Sequence, residues 1–438
     1  TDSRGGEKEN RYMRLMNRVI KPGVKTKVLM LSATPVNNRF YDLRNQLALA
    51  YEGDPSEFNE KLNTKSDIDT IFRQAQKVYN AWCKLPESER TTATLLSQLD
   101  FDFFEVLDSV TIARSRKHIQ NYYDVTDIGT FPARNKPISL RPKLTDRPGA
   151  INYKEVFELL SKLQLTIYTP TIYIHASKLH KYLDEKESEN FRKGRELGIQ
   201  RLMSINLLKR MESSVHSFLL TVRRIYDYLY DTSQAIEQFM MDGTGDLDEM
   251  RDLSAVADDF DYDDQNTDFF SVGKKVKIDL RDMDYISWKR DIDEDIENLQ
   301  LLILMVEDIT PEYDFKLNEL IRVIREKVAA PINEGNQKVL IFTAFSDTAE
   351  YLFDNISGMA RDELGLHTAL VTGSVDGKTT IPKFKADMNH VLSCFSPMSK
   401  DRDVLYPNDK TEIDILIATD CISEGQNLQD CDFCINYD

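Results

Sequence analysis

The chain has 438 residues, of which 41% are hydrophobic and 29% are charged, and its formal net charge is −17. This length allows two or three domains, and the acidic balance argues against indiscriminate nucleic-acid binding over the whole surface. No apolar run approaches the ~18 residues that a membrane helix needs. The N-terminus is too polar for a signal peptide and lacks a starting Met, which suggests processing or a piece of a longer protein.

Acidic residues and cysteines are unevenly placed along the chain. Residues 242–268 hold a large share of the acid, and we interpret them as a mobile insertion, so a local basic groove elsewhere stays compatible with the net charge. The five cysteines lack the spacing of a disulfide framework, which predicts a reducing, cytoplasmic environment. Cys431 and Cys434 have the spacing of a metal or redox pair. Without a second pair or a nearby His, small apolar side chains around a buried strand are the favoured interpretation.

The first predicted element is a buried strand over residues 28–31, followed by Ser32, Ala33 and Thr34. Small hydroxyl side chains at a strand end can hydrogen-bond a neighbouring loop. The alternative is a helix N-cap, because a helix is predicted from about residue 40 to residue 51.

A compact basic cluster follows at Arg114, Arg116 and Lys117. Such a cluster suits contact with the phosphate backbone of a nucleic acid. An ordinary solvated charge run is the alternative interpretation.

The middle of the chain is predicted to be helical, over residues 152–239 and again over 292–327. Residues 201–224 repeat apolar side chains at spacings of three and four. They include the segment LLKRMESS, residues 207–214. Its basic residues are typical of the solvated face of a core helix.

The last hundred residues alternate strands and helices, which predicts a parallel, doubly wound α/β sheet. Thr343, Thr372 and Thr419 each follow a predicted strand, and Gly373 follows the second of them. A hydroxyl beside exposed backbone N–H groups suits phosphate oxygens, and such contacts position a nucleic acid without reading its sequence. Ligands of open α/β sheets bind at this carboxyl edge.

These segments together resemble superfamily 2 helicases, in particular the bacterial Snf2-like branch. The sequence LSATPVNN resembles helicase motif III, ATD with EGQNLQ and NYD resembles motif V and the strand after it, and LLKRMESS resembles a segment of the Snf2-like proteins. The cluster around Arg116 resembles the L-R-R-x-K segment of the first lobe, with Ser115 where the family has a second Arg.

The resemblance implies a role for each motif. Ser32, Ala33 and Thr34 would couple the ATP site to the nucleic acid. The strand-tip residues Thr343, Thr372, Gly373 and Thr419 would contact nucleic acid, together with the basic cluster at residues 114–117. Glu424, Gly425 and Asn427 would face the nucleotide.

ATP and Mg²⁺ are therefore implied as cofactors of the intact parent protein. The sequence has no G-x-x-x-x-G-K-[ST] and no D-E-x-H, and both are needed for the phosphate cradle and the metal. It also ends before the family's arginine-bearing motif VI. We therefore expect a fragment that binds no cofactor tightly and does not hydrolyse ATP unaided.

Three domains are predicted: the C-terminal part of a first RecA-like lobe (1–130), a helical insertion (131–330) and a truncated second RecA-like lobe (331–438). The predicted function is ATP-dependent movement on nucleic acid, with double-stranded DNA favoured, no membrane, and a protein partner for the helical insertion. An RNA helicase of the same superfamily and a non-enzymatic scaffold are the alternatives. Because the strands that the family places upstream are missing, residues 28–31 are expected to lack sheet neighbours.

Overall fold

The computed structural model divides the chain into two compact units, Thr1–Pro137 and Ile138–Asp438. It describes residues 11–23, 27–31, 40–61, 64–112, 116–124, 126, 131–182, 189–243, 279–373, 377–422 and 426–438. The acidic segment predicted to be mobile lies outside these residues from residue 244 onward. The predicted division into three domains stays a prediction.

The described part of the first unit is helical. Its α-helices are α1 (Arg11–Leu15), α2 (Phe40–Ala50), α3 (Ser56–Lys61), α4 (Ile68–Trp82), α5 (Thr92–Gln98), α6 (Phe101–Val110) and α7 (Arg116–Tyr122), and a π-helical turn covers Met16–Ile20. A small core forms where α2, α4 and α6 meet, around Leu43, Phe72 and Phe103. The helices therefore have an apolar centre of their own.

The predicted strand over residues 28–31 is wrong. These residues have no regular secondary structure, and the side chains of Leu29 and Leu31 are 83% and 89% exposed. A strand is stabilised by ladder partners and by cover on its faces, and no strand lies beside this run among the described residues of the unit. The apolar run therefore stays in solvent.

The second unit begins with a helical region. Its α-helices are α8 (Tyr153–Leu160), α9 (Glu189–Ser213), α10 (Val215–Asp242) and α11 (Tyr285–Val306). Short 3₁₀ turns cover Thr166–Tyr168, Pro170–Tyr173, Leu179–Lys181 and Leu280–Asp282. The core of the region lies mainly between α10 and α11, where Phe218 and Leu229 pack with Trp288. The predicted helical character is confirmed, with 3₁₀ turns in place of a continuous helix after α8.

Helices α9 and α10 are separated at a single residue, Ser214. Its backbone is extended, with φ −154° and ψ 149°, and its side chain accepts a hydrogen bond from the N–H of Ser217. Ser214 is thus the N-cap of α10, which satisfies one of the free N–H groups at the helix start. The segment LLKRMESS therefore forms the end of one helix and the cap of the next.

An α/β lobe completes the second unit. Its helices are α12 (Phe315–Ala329), α13 (Ser346–Leu364), α14 (Met388–Phe395) and α15 (Arg402–Leu405), and its strands are β1 (Val339–Phe342), β2 (Thr368–Val371), β3 (Lys378–Thr379), β4 (Ile415–Ala418) and β5 (Cys434–Asn436). The strand order is β3-β2-β4-β1-β5. Strands β2, β4, β1 and β5 are parallel, and the short edge strand β3 is antiparallel to β2.

Helices cover both faces of this sheet. On one face Ile341 and Ile417 pack with side chains of α12 and α13. On the other face Leu340 and Leu416 pack with α14 through residues such as Phe395. This is the layer order of a doubly wound parallel sheet, so the predicted α/β class is confirmed for the lobe.

Among the described residues, no helix combines the length and the apolarity needed to cross a membrane.

Candidate functional site at the carboxyl edge of the sheet

The three strand-tip threonines lie side by side in the lobe. The last residues of β1, β4 and β2 are in register, because Ala418 pairs with both Phe342 and Val371. One residue further on, the N–H of Thr343 donates to the carbonyl of Ala418 at 3.1 Å, and the N–H of Thr419 donates to the carbonyl of Val371 at 3.3 Å. The sheet therefore brings Thr343, Thr419 and Thr372 together in one row.

The side chains of this row differ in exposure. Thr343 is 3% exposed and Thr419 is 2% exposed, whereas Thr372 is half-buried and Gly373 is exposed. The Thr419 hydroxyl lies 3.6 Å from the Cys421 sulfur. Of these three threonines, Thr372 is thus the most exposed, and contact of the row with phosphate stays a prediction.

Arg210 of LLKRMESS lies behind this edge and is 2% exposed. Its Nη1 atom donates to Asp347 Oδ2 at 2.8 Å and to Ser217 Oγ at 3.0 Å. The guanidinium lies over the ring of Phe345, 4.7 Å from its centroid, within the range of a cation–π contact. Both Phe345 and Asp347 belong to the turn that follows β1, so this arginine joins the helical region to the lobe.

Hydroxyl groups extend the same junction. Thr348 Oγ1 lies 2.8 Å from Ser213 Oγ and 2.9 Å from Ser214 Oγ. Ser213 Oγ also lies 3.5 Å from Thr343 Oγ1, one of the predicted nucleic-acid contacts. All four of these residues are buried, so the end of α9 is fixed against the first turn of α13.

Helix α13 begins at Ser346, and Phe345 is its N-cap residue without a side-chain cap. Asp347 lies in the first turn of the helix, where a negative charge is favoured by the helix dipole, and it accepts the hydrogen bond from Arg210 there.

A second polar cluster lies beside β5. Lys316 donates to the carbonyls of Glu212 and Ser213 at 2.6 and 2.9 Å, and its ammonium lies 4.1 Å from the centroid of the Tyr437 ring. Burial lowers the pKa of Lys316 despite the nearby carboxylates of Asp438 and Asp314. The lysine therefore satisfies the last carbonyls of α9 from the start of α12.

Asp314 is the third member of this cluster and lies near Lys316. It caps α12 by accepting from the N–H of Leu317 at 3.0 Å, and it accepts from the Tyr351 hydroxyl at 3.0 Å. Burial raises the pKa of Asp314, against the effect of these hydrogen bonds and of Lys316. The ring of His216 stacks on Tyr351 at 4.9 Å, which adds a contact between α10 and α13.

Asn427 lies in the segment after β4 and contacts the turn after α14. Its Nδ2 atom donates to the carbonyl of Ser399 at 3.4 Å, and Asp430 accepts from the N–H groups of Met398 and Ser399 at 2.7 and 3.0 Å. These bonds hold the segment after β4 against the turn after α14. The other two predicted nucleotide contacts, Glu424 and Gly425, lie outside the described residues.

The remaining predicted site residues belong to the first unit. Ser32, Ala33, Thr34 and Arg114 lie outside the described residues. Arg116 begins α7, is exposed, and places its guanidinium 5.5 Å from the centroid of the Phe131 ring. Lys117 follows it in the same helix, and its side chain is not among those described.

His390, Cys394 and Asp409 form a group of three metal-ligating side chains whose ligand atoms lie within 4.8 Å of one another. His390 Nε2 and Asp409 Oδ2 are 2.6 Å apart, a hydrogen-bond distance. The imidazole is also stacked between the rings of Phe384 and Tyr406, at 4.5 and 4.3 Å. This geometry is that of a partly buried His–Asp pair that joins α14 to the segment after α15.

Sequence reasoning missed the burial of Arg210, which it placed on a solvated helix face. Helical spacing contained the signal: Arg210 and Met211 lie three and four residues after Leu207 and share its face of α9, and the structure buries all three. The neighbouring Lys209 is exposed, as the pattern predicts. What the pattern lacked was the partner, Asp347, which is 137 residues away.

Comparison with known proteins gives one family match. Residues 316–438 match the family model of the helicase conserved C-terminal domain. Among solved structures, the crystal structure of the Pyrococcus furiosus Hef helicase domain matches with 15% sequence identity over 65% of this chain, with a TM-score of 0.27. The chain spans 46% of that protein chain. Among curated proteins, none matches this sequence.

The family match covers most of the α/β lobe, from α12 through β5. It shows a helicase conserved C-terminal domain over these residues, and the predicted RecA-like class of the lobe is thereby confirmed.

Proposed function

We propose that this chain is part of an ATP-dependent, Snf2-like helicase or translocase of superfamily 2, which couples ATP hydrolysis to movement on double-stranded DNA. The observation that carries the proposal is the helicase C-terminal domain over residues 316–438, in which three strand tips with threonine form one edge. A hydroxyl and backbone groups at the half-buried Thr372 and the exposed Gly373 of this edge suit phosphate oxygens, and such contacts are indifferent to sequence. A motor that moves along DNA needs this indifference.

ATP and Mg²⁺ are the proposed cofactors of the parent protein. Their phosphate cradle and metal ligands are not supplied by this chain, which has neither G-x-x-x-x-G-K-[ST] nor D-E-x-H. The chain would contribute Asn427 beside the nucleotide and the threonine edge beside the nucleic acid. Its own residues would thus bind and orient the nucleotide and the nucleic acid.

The test is ATP hydrolysis by the full-length protein with no nucleic acid, duplex DNA, single-stranded DNA or RNA. We expect the largest stimulation with duplex DNA. Stimulation by RNA alone would favour an RNA helicase of the same superfamily, and no hydrolysis under any condition would favour a scaffold.

Strand β2 offers a matched pair of variants for the DNA-contacting edge. Thr372→Val removes a hydroxyl at the carboxyl edge, whereas Thr368→Val removes one at the opposite end of the same strand. The Thr368 hydroxyl is buried and has no hydrogen-bond partner among the described residues. We expect Thr372→Val to weaken apparent DNA affinity about fivefold, equivalent to one hydrogen bond of ~1 kcal/mol, and Thr368→Val to leave it unchanged. Equal effects of both changes would contradict the assignment of the edge.

A further inference from the structure

We propose that Arg210 is a positioning residue that transmits the placement of the helical region to the nucleic-acid edge of the lobe. It would do so by holding the turn of residues 343–347, which follows β1. This inference rests on the proposed function, because it concerns how that edge is kept in place. Nothing in the family match, which begins at residue 316, assigns a role to this arginine.

Burial of the Arg210 charge costs free energy unless the guanidinium has partners. Arg210 is 2% exposed, and a buried guanidinium is tolerated only when it is paired and hydrogen-bonded. Its Nη1 atom bridges Ser217 Oγ of α10 and Asp347 Oδ2 of α13, at 3.0 and 2.8 Å. Because neither acceptor can move away without leaving a buried charge under-paired, the two helices are kept in one arrangement.

The contacts of Arg210 also constrain the direction of the turn after β1. The guanidinium lies over the Phe345 ring, 4.7 Å from its centroid, while it donates to Asp347 two residues later. A planar guanidinium that contacts a ring and donates a hydrogen bond constrains both distance and direction, which a flexible point charge such as lysine does not. The turn between β1 and α13 is thus held on two sides by one side chain.

The same junction reaches Thr343, one of the predicted nucleic-acid contacts. Ser213, three residues after Arg210, lies 3.5 Å from the Thr343 hydroxyl and 2.8 Å from the Thr348 hydroxyl. Lys316 holds the carbonyl of the same Ser213 at 2.9 Å. A shift of the end of α9 would therefore displace Thr343 and the start of α13 together.

The test separates positioning from packing with a charge-free double variant, Arg210→Met with Asp347→Leu. Replacing a buried ion pair by apolar side chains of similar volume is often neutral for stability, but it removes the directional hydrogen bonds. The matched control is Arg322→Met with Glu326→Leu, which removes an ion pair on the exposed side of α12.

In the full-length protein we expect the double variant to keep its thermal midpoint while the ratio of DNA-stimulated to basal ATP hydrolysis falls about tenfold, as small misplacements at an active edge can cause. The control is expected to leave both unchanged. A double variant with an unchanged ratio would overturn the proposal, and so would a loss of stability that lowers basal and stimulated rates equally.

A second measurement does not depend on activity. Hydrogen exchange in the 438-residue chain should become faster in residues 343–350 of the double variant and remain unchanged in the centre of α10. If the wild-type protein shows no DNA-stimulated hydrolysis, the proposed function fails, and this exchange pattern still decides whether Arg210 positions the turn. Unchanged exchange in residues 343–350 would overturn the positioning role even in an active protein.

Discussion

Two apolar runs of nearly the same sequence have opposite structures in this chain. Residues 28–31 read VLML and residues 339–342 read VLIF. The second run is strand β1, and its residues Val339 and Ile341 are fully buried. The first run has no regular structure, and two of its leucines are among the most exposed apolar side chains described.

The difference lies in the neighbours and not in the runs themselves. Strand β1 lies between β4 and β5 and pairs with both, and helices cover its two faces. Around residues 28–31 the described chain offers no strand to pair with. Whether an apolar run forms a strand thus depends on its neighbours, since its hydrogen bonds and buried area come from other segments.

The largest expected effect comes from placing the same charged residue in strand β1 and in the exposed run of residues 28–31. Ile341→Asp places a carboxylate between two buried faces without a counter-charge, and we expect a loss of more than about 4 kcal/mol in the stability of the lobe. Leu29→Asp, at an 83% exposed position, should change stability by less than about 0.5 kcal/mol.

Hydrogen exchange of peptides that cover β1 and β4 measures the effect of Ile341→Asp, and exchange of peptides that cover α2 and α4 measures the effect of Leu29→Asp, because exchange reports the free energy of local opening. A strong effect of Leu29→Asp would mean that residues 28–31 pack on a surface, and the comparison would fail.

Ion pairs extend the comparison, because the same type of pair occurs with and without burial. Lys327 and Asp432 lie 2.6 Å apart and are both largely buried, whereas Arg322 is half-exposed and pairs with Glu326 on the surface of the same helix. Removal of one partner of a buried pair leaves an uncompensated charge, so Lys327→Ala should cost about 3–5 kcal/mol. Arg322→Ala should cost less than about 1 kcal/mol.

The pH dependence of the buried pair has a definite sign. Burial raises the pKa of Asp432, but hydrogen bonds from Lys327 and Asn333 outweigh it, and the pKa lies below its ordinary value. The stabilisation is therefore present above the unfolded pKa of about 3.9 and is lost as the pH falls through the lower folded value. Urea unfolding of wild type and Lys327→Ala between pH 3 and pH 7 checks both effects, and an equal cost at both ends of this range would argue against the pairing.

Much of the lobe could be predicted from local sequence. The runs at β1, β2 and β4 are apolar and β-branched, and each is followed by Thr, so the sheet and its row of strand tips follow from pattern and from the parallel topology. Residues 28–31 form a similar apolar run that predicts a strand. They form none, because a local pattern contains no information on ladder partners.

The burial of the site residues could not be predicted from the local pattern, for a related reason. Helical spacing could have placed Arg210 with Leu207 and Met211, but its acceptor Asp347 is distant in sequence. Likewise, nothing local predicts that Thr343 and Thr419 are buried, because their cover comes in part from Ser213 and from Cys421 after the strand. Exposure is set by the segments that pack on a residue.

Asp295 is a second buried aspartate, and it has no ion-pair partner among the described residues. It lies in α11 and accepts from the N–H of Gln164 at 2.7 Å, and burial raises its pKa to about 6 in spite of such hydrogen bonds. The native state therefore holds a proton that the unfolded state releases near pH 4, and stability should fall as the pH rises from about 4 to about 6. The expected loss is on the order of 2 kcal/mol, opposite in sign to the effect at Asp432.

Asp295→Asn should remove this slope, because the amide does not titrate. Urea unfolding followed by the fluorescence of Trp288, which is buried in the same core, measures it in a Trp82→Phe background that leaves one tryptophan. If the variant and the wild type keep the same slope between pH 4 and pH 6, another group is responsible.

The smallest expected effect concerns helix starts in the first unit, where local signals should suffice. Asp67 is the N-cap of α4 and accepts from the N–H and the hydroxyl of Thr70 at 2.8 and 3.0 Å. Asp67→Ala should destabilise α4 by about 1 kcal/mol, whereas Asp67→Ser keeps a capping oxygen and should cost only a few tenths of that. Hydrogen exchange of peptides from residues 68–82 separates the two variants.

The cap of a helix hydrogen-bonds groups only three residues away, so this unit can form α4 from local sequence while residues 28–31 of the same unit form no strand. Equal effects of Ala and Ser at position 67 would show that α4, like a strand, depends on its distant neighbours.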